Sequence, residues 1–147
     1  MKLSTRARYG TMALLDVALY GEGGPVLLKD IAQRQQISLP YLEHLITPLI
    51  TAGIVRSTRG ARGGISLTRP PEDIKLSEVI PRLEGSLSLV ECIDDPTTCS
   101  RSQTCVTREV WDELKKAMNG VLEEMTLQNL VERQKIKGPP KEAMYYI

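Results

Sequence analysis

The sequence predicts a mainly α-helical fold with one small β-hairpin, and two patterns support this prediction. Apolar residues recur every three or four positions in several stretches, as they do on the buried face of a helix. Residues 54–69 break that pattern with β-branched residues around three glycines, as expected for a hairpin. The 147 residues include no phenylalanine and one tryptophan, so the core should be aliphatic.

Capping and helix-ending residues indicate where the first two helices begin and end. Ser4 is a favourable N-cap residue, and the helix after it should run to about Tyr20, where the glycine-rich segment 21–25 ends it. A short second helix is expected over residues 27–35. Residues 36–37 should then form a tight turn.

A third helix is expected between Ser38, a second favourable N-cap residue, and Gly53, which should close it. Pro48 lies inside this helix, where a proline removes a backbone hydrogen bond, so we expect a bend there. The predicted buried stripe consists of Leu42, Leu45, Ile46, Leu49 and Ile50. The predicted outward face consists of Pro40, Tyr41, Glu43, His44 and Thr47.

The hairpin that follows is basic. Its strands are expected over residues 54–58 and 65–68, and residues 54–69 contain no acidic residue. Its arginines are Arg56, Arg59, Arg62 and Arg69. Three helices directly before such a hairpin predict a winged helix-turn-helix, in which the third helix enters the DNA major groove. The alternative is a solvated arginine-rich hairpin in an unrelated domain.

The charge distribution also favours a polyanionic partner for the front half. Residues 1–75 carry ten Lys and Arg against six Asp and Glu, whereas residues 76–147 carry nine against twelve. No apolar run approaches the length of a membrane span, and no signal peptide is visible. We therefore expect a cytoplasmic protein.

The rear half contains a helix that is expected to form a dimer. A short helix at 76–83 should follow the rigid joint at 70–71. A long amphipathic helix should then cover residues 107–125. Its apolar residues are Val110, Trp111, Leu114, Met118, Val121, Leu122 and Met125. This stripe is larger than one small domain can cover, so we interpret it as a dimerisation helix rather than an ordinary core helix.

The expected organisation has four parts. The DNA-binding winged helix-turn-helix covers residues 1–70, and a connecting helix and cysteine loop cover 71–106. The dimerisation helix and a C-terminal helix cover 107–136, the latter capped by Thr126 and reaching about Gln134. A flexible tail is expected at 137–147. The fold class is thus a winged helix-turn-helix plus a long dimerisation helix.

Every cysteine lies in one polar loop: Cys92, Cys99 and Cys105. Three thiols cannot all pair as disulfides, and free core cysteines normally have apolar neighbours, which these lack. Soft thiolate ligands suit zinc, copper(I) or an iron–sulfur cluster, and the spacing is wider than in a zinc knuckle. The loop is therefore interpreted as a metal or cluster site, with unrelated loop thiols as the alternative.

Five features in order resemble the IscR-like iron–sulfur cluster regulators, a family that includes the nitric-oxide sensor NsrR. They are RYGTMALLDVAL at 8–19, ISLPYLEHL at 37–45, STRGARGGISL at 57–67, the three cysteines, and TLQNLV at 126–131. The resemblance implies a bacterial winged-helix transcription regulator that forms a homodimer through the long helix. It also implies a 2Fe–2S cluster, as in IscR-like members, in preference to the 4Fe–4S cluster of many NsrR-like members.

The resemblance also implies individual roles. Cys92, Cys99 and Cys105 correspond to the cluster ligands. The residues implied to read DNA are Ser38, Tyr41, Glu43, His44 and Arg59, and Arg56 and Arg62 of the wing are expected to add phosphate contacts. In the IscR-like proteins, the residue that matches Glu43 is implicated in the choice between operator classes.

The sequence departs from the family at the fourth ligand. IscR has a histidine three residues after its third cysteine, where this chain has Arg108. Arginine is a fixed cation and cannot ligate iron. We expect an oxygen ligand instead, from the carboxylate of Glu109, Asp94 or Asp95 or from the first helix of a partner subunit.

The predicted function is a transcription regulator that senses cluster status, redox state or nitric oxide and controls iron–sulfur cluster biogenesis genes. An enzyme is not expected, because the single histidine, His44, lies on the reading face and no nucleophile–base pair is visible. One alternative is a zinc-sensing repressor of the same fold that uses the thiolates with His44 or a carboxylate. Another is a cluster carrier or electron-transfer protein.

Overall fold

A computed structural model describes residues 2–139 and confirms the mainly α-helical fold with one hairpin. Two 3₁₀ turns, Pro71–Asp73 and Pro96–Thr98, lie between the helices of the rear half. The helices are α1 (Thr5–Tyr20), α2 (Leu28–Gln35), α3 (Leu39–Thr51), α4 (Leu76–Glu84), α5 (Glu91–Asp94), α6 (Val106–Glu124) and α7 (Leu127–Lys137). The antiparallel strands are β1 (Val55–Thr58) and β2 (Gly64–Leu67).

The predicted helix caps are confirmed. The Ser4 hydroxyl accepts a hydrogen bond from the Ala7 amide, and Ser38 accepts one from Tyr41 in the same way. Thr126 and Asn129 form a reciprocal capping box at the start of α7. These bonds satisfy amides that have no partner inside their own helix, which is why such residues fix helix starts.

The turn between α2 and α3 sets the angle of the third helix. Gln36 adopts a left-handed conformation with φ 54°, which is uncommon for a residue other than glycine. The amides of Gln36 and Ile37 donate to the carbonyls of Gln33 and Ala32. The chain therefore reverses within two residues, as predicted, and α3 starts at Leu39.

The core joins the front and rear halves. α4 and α7 both contact α1, and their residues Val79, Leu83 and Leu127 belong to the same buried cluster as the three front helices. Gly10 permits the close approach of α1 to α4, since a Cβ atom there would lie 2.6 Å from Leu83 Cδ1. The largest fully buried side chains of this cluster include Leu14, Ile31, Leu42, Leu49, Ile54, Ile65, Ile74 and Leu127.

The wing is anchored to the loop between α1 and α2. The amide of Val26 donates to the Ile65 carbonyl at 2.9 Å, and the Ile65 amide donates back at 2.8 Å. Gly64 is needed beside this bridge, because a Cβ atom there would lie 2.4 Å from the Val26 carbonyl oxygen. Within the hairpin Val55 pairs with Leu67 and Thr58 with Gly64.

One ion pair between α1 and α2 has a buried carboxylate. Asp16 is 1% exposed and accepts hydrogen bonds from Arg34 Nε at 2.9 Å, from a terminal guanidinium nitrogen of Arg34 at 2.6 Å, and from Gln35 Nε2 at 2.9 Å. The hydrogen bond to Asp16 raises the pKa of Arg34. The guanidinium also lies 4.0 Å from the centroid of the Tyr20 ring, a cation–π distance.

Several predictions of detail are corrected. Ile50 was predicted to be buried but is 40% exposed, because it lies about 90° round the helix from the centre of the buried stripe. α3 continues past Pro48 to Thr51, as predicted. α7 extends to Lys137, so the predicted tail begins later than 137, and residues 140–147 of that tail lie outside the described part of the chain.

Among residues 2–139, no helix combines the length and the apolar character needed to cross a membrane.

Candidate functional site

The outward face of α3 presents the residues predicted to read DNA. Glu43 and His44 are exposed, Tyr41 is half-buried, and Ser38 is the exposed N-cap residue. The opposite face packs Leu42, Leu45, Ile46 and Leu49 into the core. This packing fixes the helix while its N-terminal turn remains accessible, the part that meets base edges in helix-turn-helix proteins.

Tyr9 on α1 supports this face, although the sequence did not single it out. The rings of Tyr9 and Tyr41 meet edge to face, with centroids 6.3 Å apart and an interplanar angle of 81°. The Arg8 guanidinium carbon lies 5.7 Å from the Tyr9 centroid. The pair therefore places a basic residue of α1 beside the reading helix. The basic-aromatic pair within RYG was the available signal in the sequence.

The predicted wing arginines fall into two groups. Arg59 and Arg62 flank the glycine turn at the wing tip and are exposed. Arg56 faces a cleft of about 560 Å³ behind the wing, which is also lined by Thr58, Ser66 and, from α7, Lys135. The fourth basic residue of the hairpin, Arg69, is paired with Glu78 at 2.5 Å.

The cysteine loop contains more local structure than predicted. Cys92 lies in α5, Cys99 follows the 3₁₀ turn, and Cys105 is the N-cap residue of α6. All three are free thiols of intermediate exposure. The order of the chain thus places one cysteine at the start of the long helix and two on the segment that leads into it.

Two of the three carboxylates predicted as a fourth ligand already have hydrogen-bond donors. Asp94 accepts from the Ser86 hydroxyl, from the Ser88 hydroxyl at 2.5 Å and from Lys115 Nζ at 2.8 Å. The Lys115 ammonium and the two hydroxyls hold the pKa of Asp94 far below its usual range.

Asp95 caps the 3₁₀ turn by accepting from the amide and the hydroxyl of Thr97 at 3.0 and 2.6 Å. These bonds lower the pKa of Asp95. Within residues 2–139 the Glu109 side chain makes no hydrogen bond or ion pair, so it is the candidate whose oxygens are not already engaged.

The environment of Cys105 favours thiolate. Its sulfur lies 3.2 Å from the Thr107 hydroxyl, and that contact, followed by the Arg108 backbone amide, lowers the pKa of the thiol. Thiolates are the form of cysteine that binds metals. The donor chemistry of the loop therefore fits a metal or an iron–sulfur cluster.

The geometry of the single chain is more open than a completed site. In the described part of the chain, no three side chains of His, Cys, Asp or Glu are gathered closely enough to hold a metal ion. His44 lies on α3 and does not join the cysteines. The loop would have to close for Cys92, Cys99 and Cys105 to act on one group.

The long helix α6 carries an uncovered apolar face. No residue of α6 is buried in the single chain, although the helix contacts α4 on one side. Val110, Leu114 and Val121 are 47%, 38% and 60% exposed, and Val106 in the first turn is 71% exposed. Their spacing of four, four and seven residues places them along one line of the helix.

Comparison with known proteins finds relatives along most of the chain. Residues 3–133 match the Rrf2 family, described as an iron-dependent transcriptional regulator. Protein rrf2 of Nitratidesulfovibrio vulgaris strain Hildenborough is 48% identical over 131 residues, which are 89% of this chain and 87% of that protein. The structure of T. potens IscR is 40% identical with a TM-score of 0.77, covering 99% of this chain and 97% of that one. CymR, the global cysteine regulator of B. subtilis, is 37% identical with a TM-score of 0.76, covering 91% of this chain and 98% of that one.

Proposed function

Since this chain belongs to the Rrf2 family of transcriptional regulators, we propose that it binds operator DNA as a homodimer and senses an iron–sulfur cluster held by its three cysteines. Regulation of transcription and DNA binding follow from family membership. The iron–sulfur cluster as the sensor and the identity of the target genes go beyond family membership. We propose that these targets include iron–sulfur cluster biogenesis genes, as the likeness to T. potens IscR suggests.

The reading face of α3 and the wing tip support sequence-specific DNA binding. Tyr41, Glu43 and His44 are available to base edges, with Ser38 at the helix N-terminus beside the phosphates. Arg59 and Arg62 add phosphate contacts, which make affinity dependent on salt. Arg56 is expected to contribute to this basic surface from the base of the wing.

The uncovered face of α6 supports a homodimer. The stripe of Val106, Val110, Leu114 and Val121 is apolar over almost the whole helix, and a second copy of α6 would cover it. Winged helix-turn-helix dimers bind paired half-sites, so a rigid dimer helix would fix the separation of the two reading helices.

The observation that carries the cluster proposal is that three free thiols lie on the loop entering this dimer helix. Cys92, Cys99 and Cys105 would be the protein's sulfur ligands. A bound cluster would supply a redox-active and nitric-oxide-reactive centre, and a 2Fe–2S cluster is proposed by likeness to the IscR proteins. Glu109 is proposed as the fourth ligand of the chain itself, because Asp94 and Asp95 are held by other partners.

The test is an absorption and EPR spectrum of protein purified without oxygen, together with iron, sulfide and zinc analysis. We expect visible absorption, with iron and acid-labile sulfide in equal amounts. The variant with serine at all three cysteines should lose both, while its unfolding temperature and secondary structure show that it remains folded. Colourless protein containing zinc would instead establish the zinc-sensing alternative. A cluster retained by the triple serine variant would show that these cysteines are not the site.

A DNA-binding measurement separates the regulator from a cluster carrier. Duplexes selected from a randomised pool should bind at moderate salt with a clear sequence preference. A cluster-loaded protein without such a preference would support the carrier alternative, since the basic wing would then have no role in sequence recognition.

A further inference from the structure

Arg108 stands where IscR has its histidine ligand, and its side chain makes a specific hydrogen bond. Its Nε donates a hydrogen bond of 3.0 Å to the carbonyl oxygen of Cys92, sixteen residues earlier in the chain. The bond is partly buried, and it joins the first turn of α6 to α5. A charged donor makes such a bond stronger than one between neutral groups.

A second contact reinforces the first. Lys115 lies seven residues after Arg108, about two turns along the same face of α6. Its ammonium binds Asp94 at 2.8 Å, and Asp94 also accepts from the hydroxyls of Ser86 and Ser88. α6 therefore holds the backbone of Cys92 and the side chain of Asp94 at once.

The segment around Cys99 is attached differently. Side-chain hydrogen bonds of residues 96–104 stay within the loop, such as the bond from the Ser102 hydroxyl to the Pro96 carbonyl at 2.8 Å. Among residues 2–139, no side-chain hydrogen bond or ion pair connects this segment to a helix of the core. The loop thus has one half that is hydrogen-bonded to α6 and one half whose side-chain hydrogen bonds are all internal.

We propose that Arg108 is a positioning residue that keeps Cys92 docked on α6 in the metal-free protein. Cys105 is the N-cap residue of the same helix, so the backbone of two of the three cysteines is attached to α6 before anything binds. The Cys99 segment is then the part of the loop that has no side-chain hydrogen bond to α6 in the described structure. The hydrogen bonds of Arg108 and Lys115 support the docking. Its use in assembling a cluster rests on the proposed function.

The docking is tested on metal-free protein by hydrogen exchange of the amides in residues 91–95. Arg108→Gln should exchange there roughly tenfold faster or more, the effect of losing a hydrogen bond to a charged group. Arg101→Gln is the matched control, because it removes an equal charge from the same loop while the guanidinium of Arg101 makes no hydrogen bond in the described structure. Its exchange should match that of the wild type.

The result can be interpreted only if Arg108→Gln remains folded, so the amides of α1 and α7 are followed in the same experiment. Lys115→Met offers a second way to loosen the same turn and should also speed exchange at 91–95. Wild-type exchange rates at 91–95 in both Arg108→Gln and Lys115→Met would overturn the proposal.

The consequence for assembly is tested with protein reconstituted anaerobically from ferrous iron and sulfide. The half-life of the visible absorption after addition of an iron chelator should fall roughly tenfold in Arg108→Gln and remain unchanged in Arg133→Gln, which removes an equal charge from the exposed surface of α7. Equal half-lives in both variants would overturn the role of docking in assembly. Failure of the wild type to form a cluster would refute the proposed function, while the exchange result on metal-free protein would still decide the docking.

Discussion

Glu43 places a carboxylate on the reading face of α3, between Tyr41 and His44. DNA phosphates repel it unless it accepts a hydrogen bond, typically from cytosine N4. Sites that offer no donor should therefore bind poorly. Glu43→Ala is expected to strengthen binding to poor sites more than to good ones, by about 1–3 kcal/mol at one base-pair position.

This prediction is measured by competition over a randomised operator, with cluster-loaded and metal-free protein. Glu132→Ala on the exposed surface of α7 is the control, since it makes an equal change in net charge away from α3. If Glu43→Ala keeps the wild-type sequence preference in both forms, Glu43 does not take part in operator choice.

Asp16 is the buried acceptor that joins α2 to α1. Asp16→Ala would leave Arg34 and Gln35 without their partner, but Arg34 is 33% exposed and water can solvate part of its charge. We expect a loss of about 2–3 kcal/mol of unfolding free energy, near the lower end for breaking a buried pair. Chemical denaturation measures it, with Glu22→Ala as the control because Glu22 carries the same charge in the exposed loop between the two helices. A loss no larger than in the control would contradict the prediction.

At the level of single residues, local rules could be read from the sequence and long-range contacts could not. Ser4, Ser38 and Thr126 were predictable as caps, since each bonds an amide three residues away. The partners of Arg108 and Lys115 lie sixteen and twenty-one residues away, so periodicity gives no signal for them. The contact of Tyr9 with Tyr41 depends in the same way on the packing of two helices.

The element with the largest uncovered apolar surface is α6. Leu114 lies in its exposed stripe and Met118 is half-buried beside it. Glutamate at either position would place a charge in the proposed dimer interface, at a cost of several kcal/mol. We expect both Leu114→Glu and Met118→Glu to sediment as monomers.

Asn119→Glu provides the matched control for this experiment. Asn119 is exposed and lies on the side of α6 opposite the stripe, so the same added charge should leave the dimer intact. Dimers that survive both Leu114→Glu and Met118→Glu would refute the assignment of α6 as the dimerisation helix.

The elements themselves were predictable to different degrees. α1, α2, α3 and the hairpin follow from caps, glycines and apolar spacing, and their observed ends lie within one or two residues of the predicted ones. α5 is only four residues long and is stabilised by bonds from α6, so the sequence predicted a loop there. The domain boundary at residue 70 remains a prediction, although buried residues from both sides of it share one core.

Across the whole molecule, α6 connects the proposed sensor to the proposed reader. Its N-terminus carries Cys105, its side contacts α4, and α4 in turn contacts both α1 and the reading helix α3. The same helix presents the proposed dimer stripe. Coupling between the sensor and the reader requires an element with two arrangements that both sites bias. The cysteine loop, of which one half is hydrogen-bonded to α6 and the other half is not, is the candidate for that element.

Cluster-loaded and metal-free protein should therefore differ in operator affinity. Closure of the Cys99 segment would order the loop at the start of α6 and change how firmly the two reading helices are held apart in the dimer. Coupling of this kind typically changes affinity by about five- to 150-fold. Fluorescence anisotropy on several selected operators at one fixed salt concentration measures it, since affinities at different salt are not comparable. The triple serine variant, treated with the same iron and sulfide, should show no difference between its treated and untreated forms. Equal affinity of the two wild-type forms on every operator tested would show that the cysteine loop does not control DNA binding.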